Sequence, residues 1–265
     1  MHDFKYHRAS SLDDAAGKLE AASDGTLMAG GMTLLPTLKL RLASPSDVVD
    51  IGGVAELSGI KADGDAVVIG AMTTHAAVAG SADVQAKIPA LAALAGRIGD
   101  PQVRHRGTIG GSVANNDPAA DYPAACLALG ATIKTNRREI AADDFFAGLF
   151  ETALEEGEIL TSVSFPVPEK AAYEKFPNPA SRYALVGVFV AKGGDGVRVA
   201  VTGASQDGVF RATAMEEALS AGFSADAVAG VSVAADGLNS DMHASSEYRA
   251  HLIGVMTQRA VTACG

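Results

Sequence analysis

The 265-residue sequence has only two cysteines, Cys126 and Cys264. A [2Fe–2S] cluster needs four ligands, most commonly thiolates, and no Cys-x-x-Cys pair occurs, so the chain is not expected to carry a cluster of its own. A disulfide is not expected either, because thiols stay reduced in the cytoplasmic compartment that the N-terminal sequence favours. We interpret both residues as free thiols.

Basic residues and long apolar runs are also scarce. Lysine and arginine number 21 against 31 acidic residues, giving a net charge of −10 and no basic stripe for nucleic acid. Uncharged stretches fall short of the roughly 18 residues that a membrane span needs. The segment Met1–Lys5 lacks the basic-then-apolar pattern of a leader peptide. We therefore expect a cytoplasmic protein with no transmembrane segment, which a larger complex can hold at the inner face of the membrane.

Several motifs for catalysis and cofactor binding are missing. Neither Gly-x-Gly-x-x-Gly nor Gly-x-x-x-x-Gly-Lys-Ser/Thr occurs, so a Rossmann NAD fingerprint and a P-loop are both unsupported. The absence of Gly-x-Ser-x-Gly leaves no nucleophile elbow, and the absence of His-Glu-x-x-His gives no indication of a metal site. The sequence offers little machinery for acting on a substrate, and we assign no catalytic residue and no metal ligand.

Two glycine pairs, each framed by small and hydroxylated residues, are the most informative motifs present. The first lies in Ala29–Thr33, and the second lies in Thr108–Ser112 and continues into Asn116–Asp121. One such pair is most simply a tight turn. Because glycine lets a backbone N–H approach an anion closely, two pairs predict that the amides of residues 30–31 and 110–111 converge on one diphosphate. Asp117 and Asp121 add acceptors suited to ribose hydroxyls or a ring N–H.

Apolar spacing predicts an α+β protein in two parts. A strand at 26–29 runs through the first glycine pair into a helix at 34–40 that Thr33 caps, which is a favourable place for an anion. Further strands are predicted at 47–51, 66–70, 131–135 and 158–165, with helices near 12–19, 88–98 and 122–129. After Pro166–Pro168 the pattern changes to a hairpin at 183–201 and helices at 212–221 and 245–262. His75 is predicted at a helix start, and His105 as a structural histidine.

The residues at 29–36, Ala-Gly-Gly-Met-Thr-Leu-Leu-Pro, resemble the first flavin loop of the FAD-binding medium subunits of molybdenum hydroxylases. Aerobic carbon monoxide dehydrogenase and xanthine dehydrogenase are the best-known members of that family. Thr108–Ser112 with Asn116–Asp121 is similar to the family's second loop. Glu158–Leu160, Tyr173–Phe176 and Ser245–Arg249 extend the resemblance over the chain.

The resemblance implies a two-subdomain α/β FAD-binding domain of the vanillyl-alcohol-oxidase or PCMH type at residues 1–168. Its subdomains would span about 1–54 and 55–168. A small α+β domain of the carbon monoxide dehydrogenase flavoprotein C-terminal type, with an antiparallel sheet plus helices, would follow at 169–265. The FAD would lie between these parts.

The resemblance also implies the FAD contacts, position by position. Met32 departs from the family, whose members usually carry a polar residue there; the backbone donors need not be affected. The residues expected to bind FAD are Ala29, Gly30, Gly31, Met32, Thr33, Leu34, Leu35, Pro36, Ile98, Thr108, Ile109, Gly110, Gly111, Ser112, Asn116, Asp117, Asp121, Leu160, Lys175 and Tyr183.

The implied function is that of an electron relay. A large subunit would oxidise the substrate at a molybdenum cofactor, and a small subunit would carry the electrons through [2Fe–2S] clusters. This chain would pass them from FAD to an external acceptor as part of a dimer of heterotrimers. Two alternatives stay open: a self-contained FAD-dependent reductase using NAD(P)H, and a non-catalytic flavin-binding or assembly module. Neither the substrate nor the terminal acceptor can be deduced from this chain.

Overall fold

The first of three successive sheets is parallel. The computed structural model describes residues 1–265. The sheet has the order β1-β3-β2, and its elements are β1 (Lys5–Arg8), α1 (Leu12–Ala21), β2 (Gly25–Met28), α2 (Leu34–Lys39) and β3 (Asp47–Asp50). Ser11 caps α1 by accepting a hydrogen bond from the N–H of Asp14, as residues of this type do at helix starts. A small core containing Ala15, Val49 and Ile51 holds α1 against the sheet.

The second sheet is antiparallel and carries most of the helices. Its five strands have the order β4-β5-β10-β6-β7, and β8 and β9 form a separate hairpin. The elements are β4 (Ile60–Asp63), β5 (Ala66–Gly70), α3 (His75–Gly80), α4 (Ala82–Lys87), α5 (Pro89–Gly96), α6 (Pro101–Arg106), α7 (Ile109–Asn115), α8 (Tyr122–Leu129), β6 (Thr132–Thr135), β7 (Glu139–Ala141), α9 (Ala142–Phe145), β8 (Phe146–Gly148), β9 (Glu151–Thr152) and β10 (Leu160–Pro166). Every residue of α8 is buried, which explains its apolar character on all sides.

The third sheet is antiparallel, with its strands in sequence order. It contains β11 (Lys170–Pro177), β12 (Ala184–Gly193), β13 (Gly196–Ser205) and β14 (Gly208–Arg211), followed by α10 (Thr213–Ala221) and α11 (Ser246–Ala263). Helix α11 packs on β11 and β12 and begins at the cap Ser245. No helix combines the length and the apolar character that crossing a membrane requires. The predicted α+β class is confirmed.

The sequence suggests a tight turn at the second glycine pair, but the structure has the start of a helix there. Gly110 and Gly111 lie in the first helical turn of α7, which Thr108 caps by accepting a hydrogen bond from the N–H of Gly111. Thr33, by contrast, precedes α2 without making a side-chain capping bond. The sheets change between Pro166 and Lys170, close to the expected domain division at 168, which stays a prediction.

Candidate functional site

A cleft of about 480 Å³ lies where the β2–α2 loop, the start of α7 and the chain entering β12 meet. This volume falls within the range of about 300–1,000 Å³ that is usual for small-molecule and cofactor sites. Half of its 30 lining residues are hydrophobic, including Ile98 and Leu160. Tyr183 lines the opening with half of its surface exposed.

The β2–α2 loop presents a run of free backbone donors to this cleft. The N–H groups of Gly30, Gly31, Met32, Thr33 and Leu34 donate no hydrogen bond within the chain. Gly31 has φ of 73°, a left-handed conformation that glycine adopts without strain. Successive amides in such a turn form a concave site for an anion. The amides of residues 30–31, which the sequence predicts as donors to a diphosphate, are therefore free to bind an anion.

The amides of the second glycine pair are already engaged, so the prediction that they are free is wrong. The N–H of Gly110 donates to the carbonyl oxygen of Ala71 at 2.9 Å, and that of Gly111 donates to Oγ1 of Thr108 at 3.1 Å. The preceding amide, of Ile109, donates to the carbonyl oxygen of Thr73 at 3.0 Å. These bonds fix α7 on the segment after β5. Of the two glycine pairs, only the first keeps free amide donors for a diphosphate.

Both glycine-rich segments nevertheless meet at the cleft, because glycine allows close packing between them. A β-carbon on Gly30 would fall deep inside the contact distance of the Arg106 carbonyl oxygen. A β-carbon on Gly111 would lie 3.6 Å from Cβ of Ala29. A β-carbon on Gly110 would lie 2.5 Å from Cβ of Ala71, on the segment that follows β5. Gly30 and Gly110 are therefore required for packing within the protein.

The structure brings most of the expected contacts to the cleft. Those lining it are Ala29, Gly30, Gly31, Met32, Thr33, Leu34, Ile98, Thr108, Gly110, Gly111, Ser112, Asp117, Asp121, Leu160 and Tyr183. Those not lining it are Leu35, Pro36, Ile109, Asn116 and Lys175.

Asn116 has a structural position instead of a place in the cleft. It ends α7 with φ of 43°, and its buried side-chain amide donates to the carbonyl oxygens of Gly148 and Glu151 at 2.8 and 2.9 Å. The preceding residue, Asn115, lines the cleft. The sequence reasoning missed Asn115, although the helical phase of α7 identifies it once the helix is known.

Lys175 lies behind the cleft wall and acts through Asp121. Its Nζ donates to Oδ2 of Asp121 at 3.0 Å, and the hydroxyl of Tyr173 donates to the other carboxylate oxygen. Burial raises the pKa of Asp121, while Lys175 and Tyr173 act in the opposite direction. Arg97 joins the same cluster by donating to the carbonyl oxygens of residues 173 and 175. The cluster connects the wall of the cleft to β11.

A second carboxylate in the cleft wall is also paired with a cation. Arg138 donates to both oxygens of Glu158 at 3.0 Å, and this interaction lowers the pKa of Glu158 to about 2. Pairing of Asp121 with Lys175 and of Glu158 with Arg138 offsets the negative charge of these walls. The cleft therefore repels an anionic ligand less strongly than the net charge of −10 suggests.

His75 is a cleft residue to which the sequence assigned only a structural position. It begins α3 as predicted, is 4% exposed, and lines the cleft beside Gly107. Its Nδ1 is buried and has no hydrogen-bond partner in the chain. Burial, followed by the charge of Arg104, lowers the pKa of His75 to about 4, so the ring is neutral at physiological pH.

These features fit a dinucleotide cofactor. The free amides at residues 30–34 suit a diphosphate, while the apolar wall and Tyr183 suit planar rings. The unpartnered Nδ1 of His75 is a further polar atom that the protein alone leaves unsatisfied. Fold and cleft together define an α+β cofactor-binding protein.

Comparison with known proteins identifies the family. Residues 2–168 match the FAD binding domain in molybdopterin dehydrogenase. The carbon monoxide dehydrogenase medium chain of Hydrogenophaga pseudoflava is 37% identical over 276 residues, covering 98% of this chain and 96% of that protein. A crystal structure of Cu,Mo-CO dehydrogenase in its cyanide-inactivated form matches with a TM-score of 0.89 and 34% identity, covering 100% of this chain and 98% of the other. Quinoline 2-oxidoreductase from Pseudomonas putida 86 matches with a TM-score of 0.89 and 30% identity, covering 99% and 96%.

The chain belongs to the family of FAD-binding subunits of molybdenum hydroxylases, which are oxidoreductase subunits. FAD is the cofactor of this family's domain, and the donors of the cleft fit it.

Proposed function

We propose that this chain is the FAD-carrying medium subunit of a multi-subunit molybdenum hydroxylase or dehydrogenase. It would accept electrons from a small [2Fe–2S] subunit and pass them to an external acceptor, while a large molybdopterin subunit oxidises the substrate. The proposal includes a dimer of heterotrimers in the cytoplasm. Support comes from relatives that match over almost the whole chain and act on substrates as different as carbon monoxide and quinoline.

The observation that carries the proposal is the run of unpaired amides at Gly30–Leu34 in the wall of a cofactor-sized cleft. These donors would hold the FAD diphosphate without a lysine cluster, since a backbone N–H contributes about 1.5–3 kcal/mol when it binds a charged acceptor. When bound, FAD supplies the ability to take up and release electrons singly or in pairs. Ile98 and Leu160 would exclude water from the cofactor, and Tyr183 would cover its exposed edge.

The remaining contacts in the proposal act as polar anchors. Asp121 would accept hydrogen bonds from FAD with a carboxylate held in position by Lys175 and Tyr173. Ser112, Asn115 and Asp117 would add polar contacts along the same wall. In the cleft, no side-chain arrangement resembles a nucleophile with its own base, which favours electron transfer over substrate chemistry.

Purification of the chain tests the cofactor assignment. We expect flavin absorption bands and about one FAD per chain, because the β2–α2 loop supplies one site for the diphosphate. After unbound flavin is removed, the apoprotein should have regained these bands if FAD was added, and should not have done so if riboflavin, which lacks the diphosphate, was added. Failure to bind FAD in either form would contradict the proposal.

Electron transfer needs a separate test with the assembled complex. The FAD of the complex should be bleached anaerobically when the oxidisable substrate of the large subunit is added, and the isolated FAD-loaded chain should not respond to that substrate. Rapid reduction of the isolated chain by NADH or NADPH, followed by turnover of a small acceptor at the same site, would instead favour a self-contained reductase.

A further inference from the structure

An exposed apolar surface adjoins the cleft on the outer side of α2. It consists of Met32, Leu35, Lys39, Leu40, Arg41 and Leu42, and we call it the α2 rim. Leu40 and Leu42 are 70% and 75% exposed. Permanent contact of two neighbouring leucine side chains with water is energetically unfavourable. Exposed leucines occurring singly are ordinary, whereas adjacent ones on one surface indicate a binding site.

The charge of the α2 rim is opposite to that of the chain. Lys39 and Arg41 are exposed, and residues 25–46 contain no aspartate or glutamate. The whole chain, in contrast, has a net charge of −10. A local cationic surface on an acidic protein favours a partner whose matching surface carries carboxylates.

The backbone holds this surface in a defined conformation. Arg41 has φ of 60°, an uncommon conformation for a residue with a β-carbon. The N–H of Arg41 donates to the carbonyl oxygen of Leu38 at 3.1 Å, and that of Leu42 donates to Thr37 at 3.0 Å. These bonds fix the turn that follows α2. An ordered turn that exposes two leucines is suited to a rigid contact, because little conformational entropy is lost on docking.

The α2 rim is continuous with the cleft opening. Met32 belongs to both, and Leu34 and Thr37 on the same helix line the cleft while Leu35 and Lys39 face outward. A protein bound at the α2 rim would therefore lie beside the loop that is proposed to hold the FAD diphosphate. An electron donor must come close to the flavin, whereas a subunit that only supports the assembly need not.

We infer that the α2 rim is the docking surface for the iron–sulfur subunit, which would contact it through an apolar patch bordered by carboxylates. This inference rests on the proposed function. A second copy of this chain fits less well, because a symmetric contact would bring the Arg41 and Lys39 groups of both copies together and like charges repel.

A binding titration between the FAD-loaded chain and the iron–sulfur subunit of its complex tests the inference. The double substitution Leu40→Ser/Leu42→Ser should raise the Kd at least about tenfold, because central apolar contacts dominate such interfaces. FAD content and Tm should stay unchanged, since both leucines are largely exposed. The pair Lys39→Gln/Arg41→Asn should weaken binding mainly at low salt, and asparagine tolerates the positive φ.

Two matched controls separate docking from general effects. Leu40→Met/Leu42→Met keeps the surface apolar and should bind within about twofold of the original chain. Met242→Ser changes a methionine that is 92% exposed in the C-terminal part of the chain, and it should have no effect.

The outcomes distinguish the inference from the proposed function. An unchanged Kd for Leu40→Ser/Leu42→Ser, or a loss confined to self-association or to the large subunit, would overturn the docking assignment while the function stands. If the unaltered, FAD-loaded chain binds no iron–sulfur subunit, the proposed function and the docking assignment both fail. A selective loss of iron–sulfur binding, with flavin retained, supports the inference.

Discussion

Gly30 packs its α-carbon against the carbonyl oxygen of Arg106, leaving no space for a β-carbon between them. This contact joins the loop that has free amides to the segment leading into α7. The cleft between the two segments depends on their spacing. A change at this contact should therefore affect the shape of the site as well as the stability of the fold.

Gly30→Ala should lower both stability and FAD affinity. The added methyl group must displace backbone, which costs about 1–3 kcal/mol or more for overpacked interiors. Thermal unfolding of the apoprotein and FAD titration would measure the two effects. Gly17→Ala is the matched control, because nothing lies within 4 Å of its β-carbon position in α1. That control should gain about 0.5–1 kcal/mol, as expected for alanine in a helix.

Gly110→Ala should destabilise the protein even without cofactor. Its β-carbon would lie 2.5 Å from Cβ of Ala71 and would push α7 away from the carbonyl oxygen that accepts the Gly110 N–H. We expect a lower Tm of the apoprotein and a flavin loss that follows from it. Gly254→Ala, with nothing within 4 Å in α11, should leave the Tm unchanged or higher. An apoprotein Tm unaffected by Gly110→Ala would show that this glycine serves the cofactor alone.

Lys175→Met should destabilise the protein in a pH-dependent way. It leaves the buried Asp121 carboxylate without its cation, and breaking a buried pair typically costs about 3–5 kcal/mol. Burial raises the pKa of Asp121, and loss of Lys175 raises it further. An acid whose folded pKa is raised binds its proton more tightly when folded, so the penalty should shrink as the pH falls towards that pKa.

Urea unfolding of the Lys175→Met variant at pH 7.5 and pH 5 measures this effect. The double variant Lys175→Met/Asp121→Asn should recover most of the stability at pH 7.5, because no buried charge remains. Equal destabilisation at both pH values would contradict the role of an uncompensated Asp121 charge.

His75→Leu should reduce the loss of folding stability that occurs at acid pH. The pKa of His75 falls from 6.5 to about 4 in the folded protein, so the unfolded chain binds the additional proton first. Stability is therefore lost as the pH falls from 6.5 towards 4, and this shift corresponds to about 3 kcal/mol. Denaturant unfolding at pH 7 and pH 4.5 should show a smaller decrease for the leucine variant.

The same variant tests whether His75 serves the cofactor. Leucine removes a buried Nδ1 that has no partner, so the apoprotein should be at least as stable at pH 7. FAD affinity should nevertheless fall. Unchanged affinity would mean that the ring only fills the space beside Gly107.

Local patterns in the sequence predicted the elements around the first loop correctly. The strand before Gly30 and the helix after Thr33 follow from apolar spacing over a few residues, and the structure has β2 and α2 there. Strand β11 was missed because its sequence, from Lys170 to Pro177, mixes charged and apolar residues without clean alternation. Its pairing with β12 determines its conformation.

Long-range contacts explain where the structure departs from the predicted site. The amide of Gly110 is occupied by Ala71, almost forty residues earlier in the chain, and no local pattern reports that contact. The choice between Asn115 and Asn116 depends on the phase of α7, which the sequence did not indicate as a helix. Lys175 was assigned to the cofactor, but its ammonium group lies on Asp121 behind the wall.

The cluster of Asp121, Tyr173 and Lys175 also sets an order of events during synthesis. The carboxylate leaves the ribosome more than fifty residues before the two side chains that hold it, and Tyr183 follows later still. A nascent chain that ends before β11 therefore lacks part of the wall. Stable flavin loading should consequently begin only after most of the polypeptide has been translated.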